Sequence, residues 1–225
     1  MATHLDLEEQ EQLDQLKHFW NQYGNLITWV LILALAGFAA FNGWNWYKRE
    51  QGAKAAALYE ELDKAVQGGD VDKATLVFSD MKQRYAGTAY AEQAGLLAAK
   101  LQFEKNKPDA AQASLEWVAG NAMENEYRII ARLRLAGALL DQKKYDDALK
   151  QLPSDAPKEF EALVADRRGD ILMAQGKKEE AKAAYQQAWK SMDAGIDYRR
   201  LIEAKLTALG AAPAAPDAAA SGAAK

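Results

Sequence analysis

Residues 165–188 read ADRRGDILMAQGKKEEAKAAYQQA, and this stretch decides the fold. Good helix formers fill it on both sides of Gly176, so it predicts two helices joined by a short turn. Small residues recur where the two helices would face one another, and a tyrosine lies among them. Two antiparallel helices can approach closely at such residues while the ring fills the space between them. The positions that set this pattern are Gly169, Leu172, Gly176, Ala181, Tyr185 and Ala188.

The same register recurs upstream, most clearly in RLAGALLDQKKYDDALKQL at residues 134–152, and more weakly near Pro108 and Gly69. The small residue that opens each second helix serves as a marker, and the four markers are separated by 37, 37 and 33 residues: Ala74, Ala111, Ala148 and Ala181. The pattern resembles the tetratricopeptide repeat, whose period is about 34 residues. We therefore predict an all-α protein with a solenoid of about four helix pairs over residues 48–209. A helical bundle with coincidental patterning is the alternative.

A last helix is predicted over residues 196–209. It would cap the solenoid, because the terminal repeat otherwise exposes its apolar face. Its apolar residues are Ile196, Leu201, Ile202, Leu206 and Leu209. Residues 210–225 are small and contain two prolines, so we expect a disordered tail that buries no core.

A membrane anchor is predicted before the repeats. No residue from Phe19 to Tyr47 is charged, and the 22 residues from Leu26 to Tyr47 would span about 33 Å as a helix, against a hydrocarbon core of about 30 Å. Tryptophan and tyrosine flank the stretch at both ends, as is typical of membrane interfaces. A cleaved signal peptide and a buried soluble helix are the alternatives. The signal peptide is disfavoured because the preceding residues 1–18 are acidic and the apolar stretch continues past Ala36.

Charge is distributed unevenly along the chain. Five acids and one base precede residue 48, and 27 acids and 27 bases follow, so the whole net charge of −4 lies in the tail at residues 1–18. A neutral main domain argues against binding to nucleic acid. Near the span, one base precedes it and three follow, which weakly favours a cytoplasmic repeat domain, but the positive-inside rule is weakest before long domains. Charge alone leaves the direction of the span open.

Few residues could support catalysis. The chain has no cysteine, and its two histidines, His4 and His18, both precede the span. It has no glycine-rich phosphate loop, zinc spacing or nucleophile elbow. Acid pairs at residues 146–147 and 179–180 fit the first turn of second helices, where the helix dipole favours negative charge. We therefore predict no catalytic, cofactor-binding or metal-binding residues, and no enzymatic activity.

The candidate binding surface is the groove lined by the first helix of each pair, which is the usual functional face of such repeats. By register this face is apolar and could hold a polypeptide. The alternative is that the same residues belong to the core. The candidates are Leu96, Phe103, Ile130, Leu133, Leu140, Leu163 and Met173.

The order of parts resembles one known family. An acidic tail ends in LDQLKHFWNQYGN, one span follows with the aromatic exit GWNWY, and the repeats contain LVADRRGDILMAQGK. This combination is similar to the YfgM-type family, the ancillary subunits of the bacterial SecYEG translocon. The resemblance covers nearly all of the chain except its Ala/Pro-rich end.

The resemblance implies a single-pass protein of the bacterial inner membrane, with a cytoplasmic N-terminus and a periplasmic repeat domain. It implies as partners the translocon, a membrane-anchored periplasmic prolyl isomerase and emerging secreted polypeptides, with a cytoplasmic response regulator bound through the tail. Two other functions stay open from the residues. One is a scaffold for envelope assembly or cell division, and the other is a stress-response regulator acting through the acidic tail.

Overall fold

The computed structural model describes residues 7–213, with side chains from residue 11 onward. Within this range every regular element is an α-helix, which confirms the predicted all-α class. The predicted tail at residues 210–225 therefore lies largely outside the described residues. The helices are α1 (Leu7–Gln67), α2 (Val71–Arg84), α3 (Ala89–Glu104), α4 (Pro108–Asn121), α5 (Asn125–Asp141), α6 (Tyr145–Gln151), α7 (Lys158–Ala174), α8 (Lys178–Ser191) and α9 (Tyr198–Ala208).

The chain forms two compact units, residues 1–53 and 54–225. In the first unit, α1 carries the apolar stretch that is long enough to cross a membrane. Its large apolar side chains are exposed on every side of the helix, as at Leu31, Leu33, Leu35 and Phe38. Exposing so much apolar surface to water is unfavourable, whereas the hydrocarbon of a membrane would surround it. The helix satisfies its backbone hydrogen bonds internally, as hydrocarbon requires. The predicted membrane-spanning helix is confirmed.

Helix α1 extends beyond the predicted membrane span in both directions. The sequence divides into an acidic tail, a span and the start of the repeats, yet the helix runs from Leu7 to Gln67 without a break. Changes in charge mark these boundaries, and charged residues are good helix formers, so nothing in the backbone interrupts the helix there.

The second unit contains four helix pairs and a final helix, as predicted. The C-terminal part of α1 packs against α2 in the core, where Leu62 clusters with Phe78 and Ala65 with Ala74. The later pairs are α3 with α4, α5 with α6, and α7 with α8. Each of the four marker alanines is the fourth residue of its second helix and is completely buried. The residue four positions after each marker is also buried: Phe78, Leu115, Leu152 and Tyr185. The sequence period therefore corresponds to one repeated packing contact.

The turn inside each pair is also repeated. A residue with positive φ lies five positions before every marker alanine, and the four residues are Gly69, Asn106, Lys143 and Gly176. The N–H of the following residue donates to the carbonyl five residues earlier, at 2.8 to 3.0 Å, for example from Lys144 to Leu139. This is the Schellman arrangement, which satisfies the last carbonyl groups of the first helix and reverses the chain. Gly210 ends α9 in the same way.

Two glycines allow close helix contacts. A Cβ built at Gly169 in α7 would lie 2.6 Å from Cδ1 of Tyr185 in α8, and one at Gly95 in α3 would lie 2.9 Å from Cζ of Phe78 in α2. Both distances are too short for a real side chain. The prediction that the Tyr185 ring fills the space where two helices approach at small residues is therefore confirmed at Gly169.

The last helix is shorter than predicted. It covers Tyr198–Ala208, and it packs on α8 through the buried Ile202 and Leu206. Ile196 precedes the helix and is exposed, as is Leu201 on its outer side, so the prediction that these two belong to the capping surface was wrong. The Arg199 guanidinium adds a contact to α8, 4.0 Å from the centre of the Trp189 ring.

Candidate functional site

The seven predicted groove residues divide into two groups. Leu96 is buried, and Ile130, Leu133 and Leu140 are partly buried against the same core. These four contribute mainly to packing between repeats. Phe103, Leu163 and Met173 remain on the surface, with exposed fractions of 38%, 36% and 39%. A partner would meet these three side chains first.

Phe103 lines a concave surface formed mainly by the first helices α3, α5 and α7, with Leu115 of α4, and its volume is about 480 Å³. Its ring is the one large apolar side chain exposed there. Ala99, Gly137 and Ala138 form a small-residue floor, whereas the rim is charged. Three bases and two acids stand on that rim: Lys100, Arg134, Arg167, Glu104 and Asp141. The structure therefore shows an aromatic ring surrounded by charge, where the sequence predicted an apolar groove.

Arg167 of α7 is half-buried beside Gly137 of α5. A Cβ at Gly137 would lie 3.4 Å from Nη1 of this guanidinium, which is an ordinary van der Waals contact. The same Nη1 lies 3.8 Å from Asp170 Oδ2. On α5, Nη1 of Arg134 donates to the Leu96 carbonyl at 3.3 Å. These contacts hold two guanidinium groups at the groove beside the Phe103 ring, where they suit carboxylate and peptide carbonyl oxygens.

The sequence contained a signal for this arrangement. Arg134 and Arg167 each lie nine residues before the turn residue of their repeat, Lys143 or Gly176, so they occupy one position in successive repeats. Glu104 and Asp141 likewise lie two residues before theirs. Alignment on the positive-φ residue would have revealed these positions, but apolar periodicity alone could not, because it detects buried faces.

A second cluster of charge is buried between α7 and α9. Nζ of Lys205 lies 2.8 and 2.9 Å from the two carboxylate oxygens of Asp166, and 2.6 Å from Oδ1 of Asp170. The Asp166 side chain is only 3% exposed. Tyr198 donates to Asp166 at 2.7 Å and Tyr185 donates to Asp170 at 2.8 Å. The ammonium group therefore connects the last helix to the last pair.

Burial raises the pKa of both tyrosines in this cluster, and the hydrogen bonds to the carboxylates raise it further. The phenols stay protonated and act as donors. Every carboxylate oxygen named here has a donor, which is the condition for keeping charge in a protein interior. The cluster fits a structural role and leaves no group free for proton transfer.

The acid pairs behave as predicted. Asp146 and Asp147 lie in the first turn of α6, and Glu179 and Glu180 lie in the first turn of α8. Among the residues that the structure describes, no three acids or histidines converge in a way that could hold a metal ion.

Comparison with known proteins agrees with this architecture. A family model described as a tetratricopeptide repeat-like domain matches residues 17–211. The ancillary SecYEG translocon subunit of Neisseria gonorrhoeae is 34% identical over 210 residues, which cover 93% of this chain and all of the relative. The proteins of the same name from Haemophilus influenzae and Escherichia coli are 32% and 26% identical, over 82% and 81% of this chain and 90% and 88% of theirs. The chain therefore belongs to the family of ancillary SecYEG translocon subunits, and it carries a tetratricopeptide repeat-like domain.

Proposed function

We propose that this protein is a non-enzymatic subunit of the SecYEG translocon that holds other polypeptides beside the channel. The observation that carries the proposal is its 34% identity to a translocon subunit over that relative's whole length. The span would confine the repeat domain to the inner membrane, and the groove at Phe103 offers a surface for an extended chain. An aromatic ring flanked by guanidinium groups can contact apolar side chains and backbone carbonyls of many sequences.

Association with the channel is tested by purification from bacterial membranes in mild detergent. Translocon subunits should co-purify with the tagged full chain at a constant ratio. As a control, the span alone, residues 1–53, separates association through the membrane from association through the repeats. If no translocon subunit is enriched over an unrelated single-span protein, the proposal is wrong, and the scaffold function becomes the better hypothesis.

The proposed direction of the span places the N-terminus in the cytoplasm and the repeats in the periplasm. Three bases follow the span and one precedes it, a small bias in the opposite direction, but a long translocated domain overrides such a bias. A reporter that is active only in the periplasm, fused after Leu209, should be active. A silent reporter, together with an active cytoplasmic reporter at the same position, would reverse this topology.

The groove is tested with photoreactive side chains. Placed at Phe103 or Met173, they should capture emerging secreted polypeptides or a membrane-anchored periplasmic prolyl isomerase, the partners we propose for this face. Leu76 is the matched control, because it is a large apolar side chain on α2, 71% exposed and outside the groove. Equal capture from Leu76 would contradict the groove proposal.

We also propose that residues 1–18 contact a cytoplasmic response regulator, and deletion of residues 1–14 should then change its output.

A further inference from the structure

The groove at Phe103 has two rows of charge that cross its first helices. Arg134 and Arg167 form a basic row, nine residues before the turn residue of their repeats. Glu104 and Asp141 form an acidic row, two residues before theirs. On α5, which contributes to both rows, the two residues are seven positions apart, or about 10 Å along the helix axis. The groove is therefore basic toward one end of the first helices and acidic toward the other.

One residue in each row has no charged partner in the protein. Arg134 and Asp141 are both exposed, and neither forms an ion pair within the described part of the chain. Nη1 of Arg134 donates to the Leu96 carbonyl at 3.3 Å. A guanidinium has five N–H donors, so most of its hydrogen-bonding capacity remains. A ligand can therefore gain a charge contact from each row without breaking an ion pair.

The other two residues of the rows already have partners. Glu104 lies 3.9 Å from the Lys100 ammonium on the same helix. Arg167 lies 3.8 Å from Asp170, also on its own helix. These pairs neutralise part of each row, so the unpaired arginine and aspartate of α5 determine the charge that a ligand meets.

The space between the rows suits an apolar side chain. Its floor consists of three small residues: Ala99, Gly137 and Ala138. The Phe103 ring is exposed beside the acidic row. A polypeptide in the polyproline II conformation presents every third side chain on one side, about 9 Å apart, which is close to the separation of the rows. One extended segment can therefore reach Arg134 and Asp141 together.

We propose that the groove at Phe103 selects unfolded polypeptide segments with opposite charges three residues apart and an apolar residue between them. The acidic side chain pairs with Arg134 and the basic side chain pairs with Asp141, while the apolar side chain packs on the Phe103 ring. A segment with two like charges would place one of them against a row of the same sign. The inference rests on the proposed function, because it names the class of segment that the groove holds.

The test measures binding of short fluorescent peptides to the purified full chain in a neutral detergent, by fluorescence anisotropy. The peptides are capped at both ends and differ only at two positions, three residues apart, with leucine between them. The mixed peptide carries glutamate and lysine and is made in both orders, because the rows do not define the chain direction. The others carry two glutamates, two lysines or two glutamines. In its better order, the mixed peptide should bind about fivefold more tightly than the neutral one, as expected for two exposed charge contacts.

Two substitutions should change this preference in opposite directions. Asp141→Lys makes the acidic row basic, so the peptide with two glutamates should then bind most tightly. Arg134→Glu makes the basic row acidic, so the peptide with two lysines should then bind most tightly. Arg132→Glu is the matched control, because it makes the same charge change on α5 about 200° around the helix from Arg134 and outside the concave surface. It should keep the preference for the mixed peptide, and an unchanged preference in Asp141→Lys and Arg134→Glu would overturn the inference.

Phe103→Ala separates failure of this inference from failure of the groove proposal. If all peptides bind the wild type equally and Phe103→Ala weakens all of them, the groove holds polypeptides without regard to charge, and only this inference is overturned. If no peptide binds, or if Phe103→Ala weakens none, the inference and the groove proposal are both overturned. Co-purification then still reports separately on association with the translocon.

Discussion

Replacing Lys205 with methionine tests whether buried charge holds the last helix in place. Methionine keeps the length and apolar body of the side chain but removes the ammonium group. Lys205 makes three contacts with carboxylate oxygens at 2.6 to 2.9 Å, and Lys205→Met removes all of them. Asp166 is left with the Tyr198 hydroxyl, in a site where its side chain is almost completely buried.

The magnitude follows from this burial. Breaking a buried ion pair by removing one partner costs about 3 to 5 kcal/mol, because the remaining charge stays in the interior. The Lys205 side chain is still 20% exposed, so water can approach the site and the lower figure applies. A loss of about 3 kcal/mol corresponds to roughly a 150-fold change in an opening equilibrium.

Hydrogen exchange measured by mass spectrometry on the full chain in detergent is the suitable assay. Terminal helices of a repeat array open locally, so peptides covering residues 198–208 should exchange roughly 150-fold faster in Lys205→Met, while α3 to α5 change little. Lys150→Met is the control. Lys150 also contacts an aspartate, Asp147 at 2.8 Å, but both side chains are mainly exposed, so no measurable change is expected. If the exchange rate of the α9 peptides rises less than about fivefold in Lys205→Met, the reasoning is refuted.

Three further predictions concern the repeat contacts. Gly169→Ala should destabilise the α7 and α8 pair by about 1 to 3 kcal/mol, because the new methyl group overlaps the Tyr185 ring; an unchanged thermal midpoint would contradict the close approach. Lys143→Gly should stabilise the domain by up to about 1 kcal/mol in denaturant unfolding, because φ is +61° there and glycine adopts that conformation without strain; a loss of stability would contradict this account. Stability should fall as pH rises above about 10, since the unfolded chain then releases the Tyr198 proton while the folded protein, where its pKa is raised, retains it. Tyr198→Phe should show a smaller fall between pH 10 and 11 than the wild type, and the difference should be below about 1.4 kcal/mol per pH unit because Tyr198 is partly exposed.

The repeat architecture was predictable because it depends on short-range pattern. Each second helix needs a small residue at its fourth position, and each turn places it at the same distance from the first helix. Ala74, Ala111, Ala148 and Ala181 therefore repeat at a nearly constant interval, and all are buried. The membrane span was predictable for a similar reason, because hydrocarbon requires a continuous uncharged stretch.

The groove was less predictable because the first helix of each pair is covered on more than one side. Its second helix covers one face and the next repeat covers another, and both faces are apolar. Leu133 and Arg134 are neighbours in sequence, yet the leucine packs against the core and the arginine lines the groove. Neighbouring residues on a helix differ by a rotation of about 100°, and here that rotation decides whether a side chain lies in the core or in the groove. The spacing of apolar residues does not define the two faces that finely.

The buried cluster shows how the repeat pattern changes at the end of the solenoid. Leu96 and Leu133 each lie ten residues before the turn residue of their repeat, and Asp166 occupies the same position in the last repeat. In the earlier repeats this position packs against apolar core residues, but after the last repeat the described chain supplies only α9, which packs on α8. Ile202 and Leu206 supply apolar burial there, and such contacts tolerate sliding along the helix axis. Lys205 reaches both carboxylates in one position of α9 only, so the charges fix the placement of the cap while the apolar contacts stabilise it.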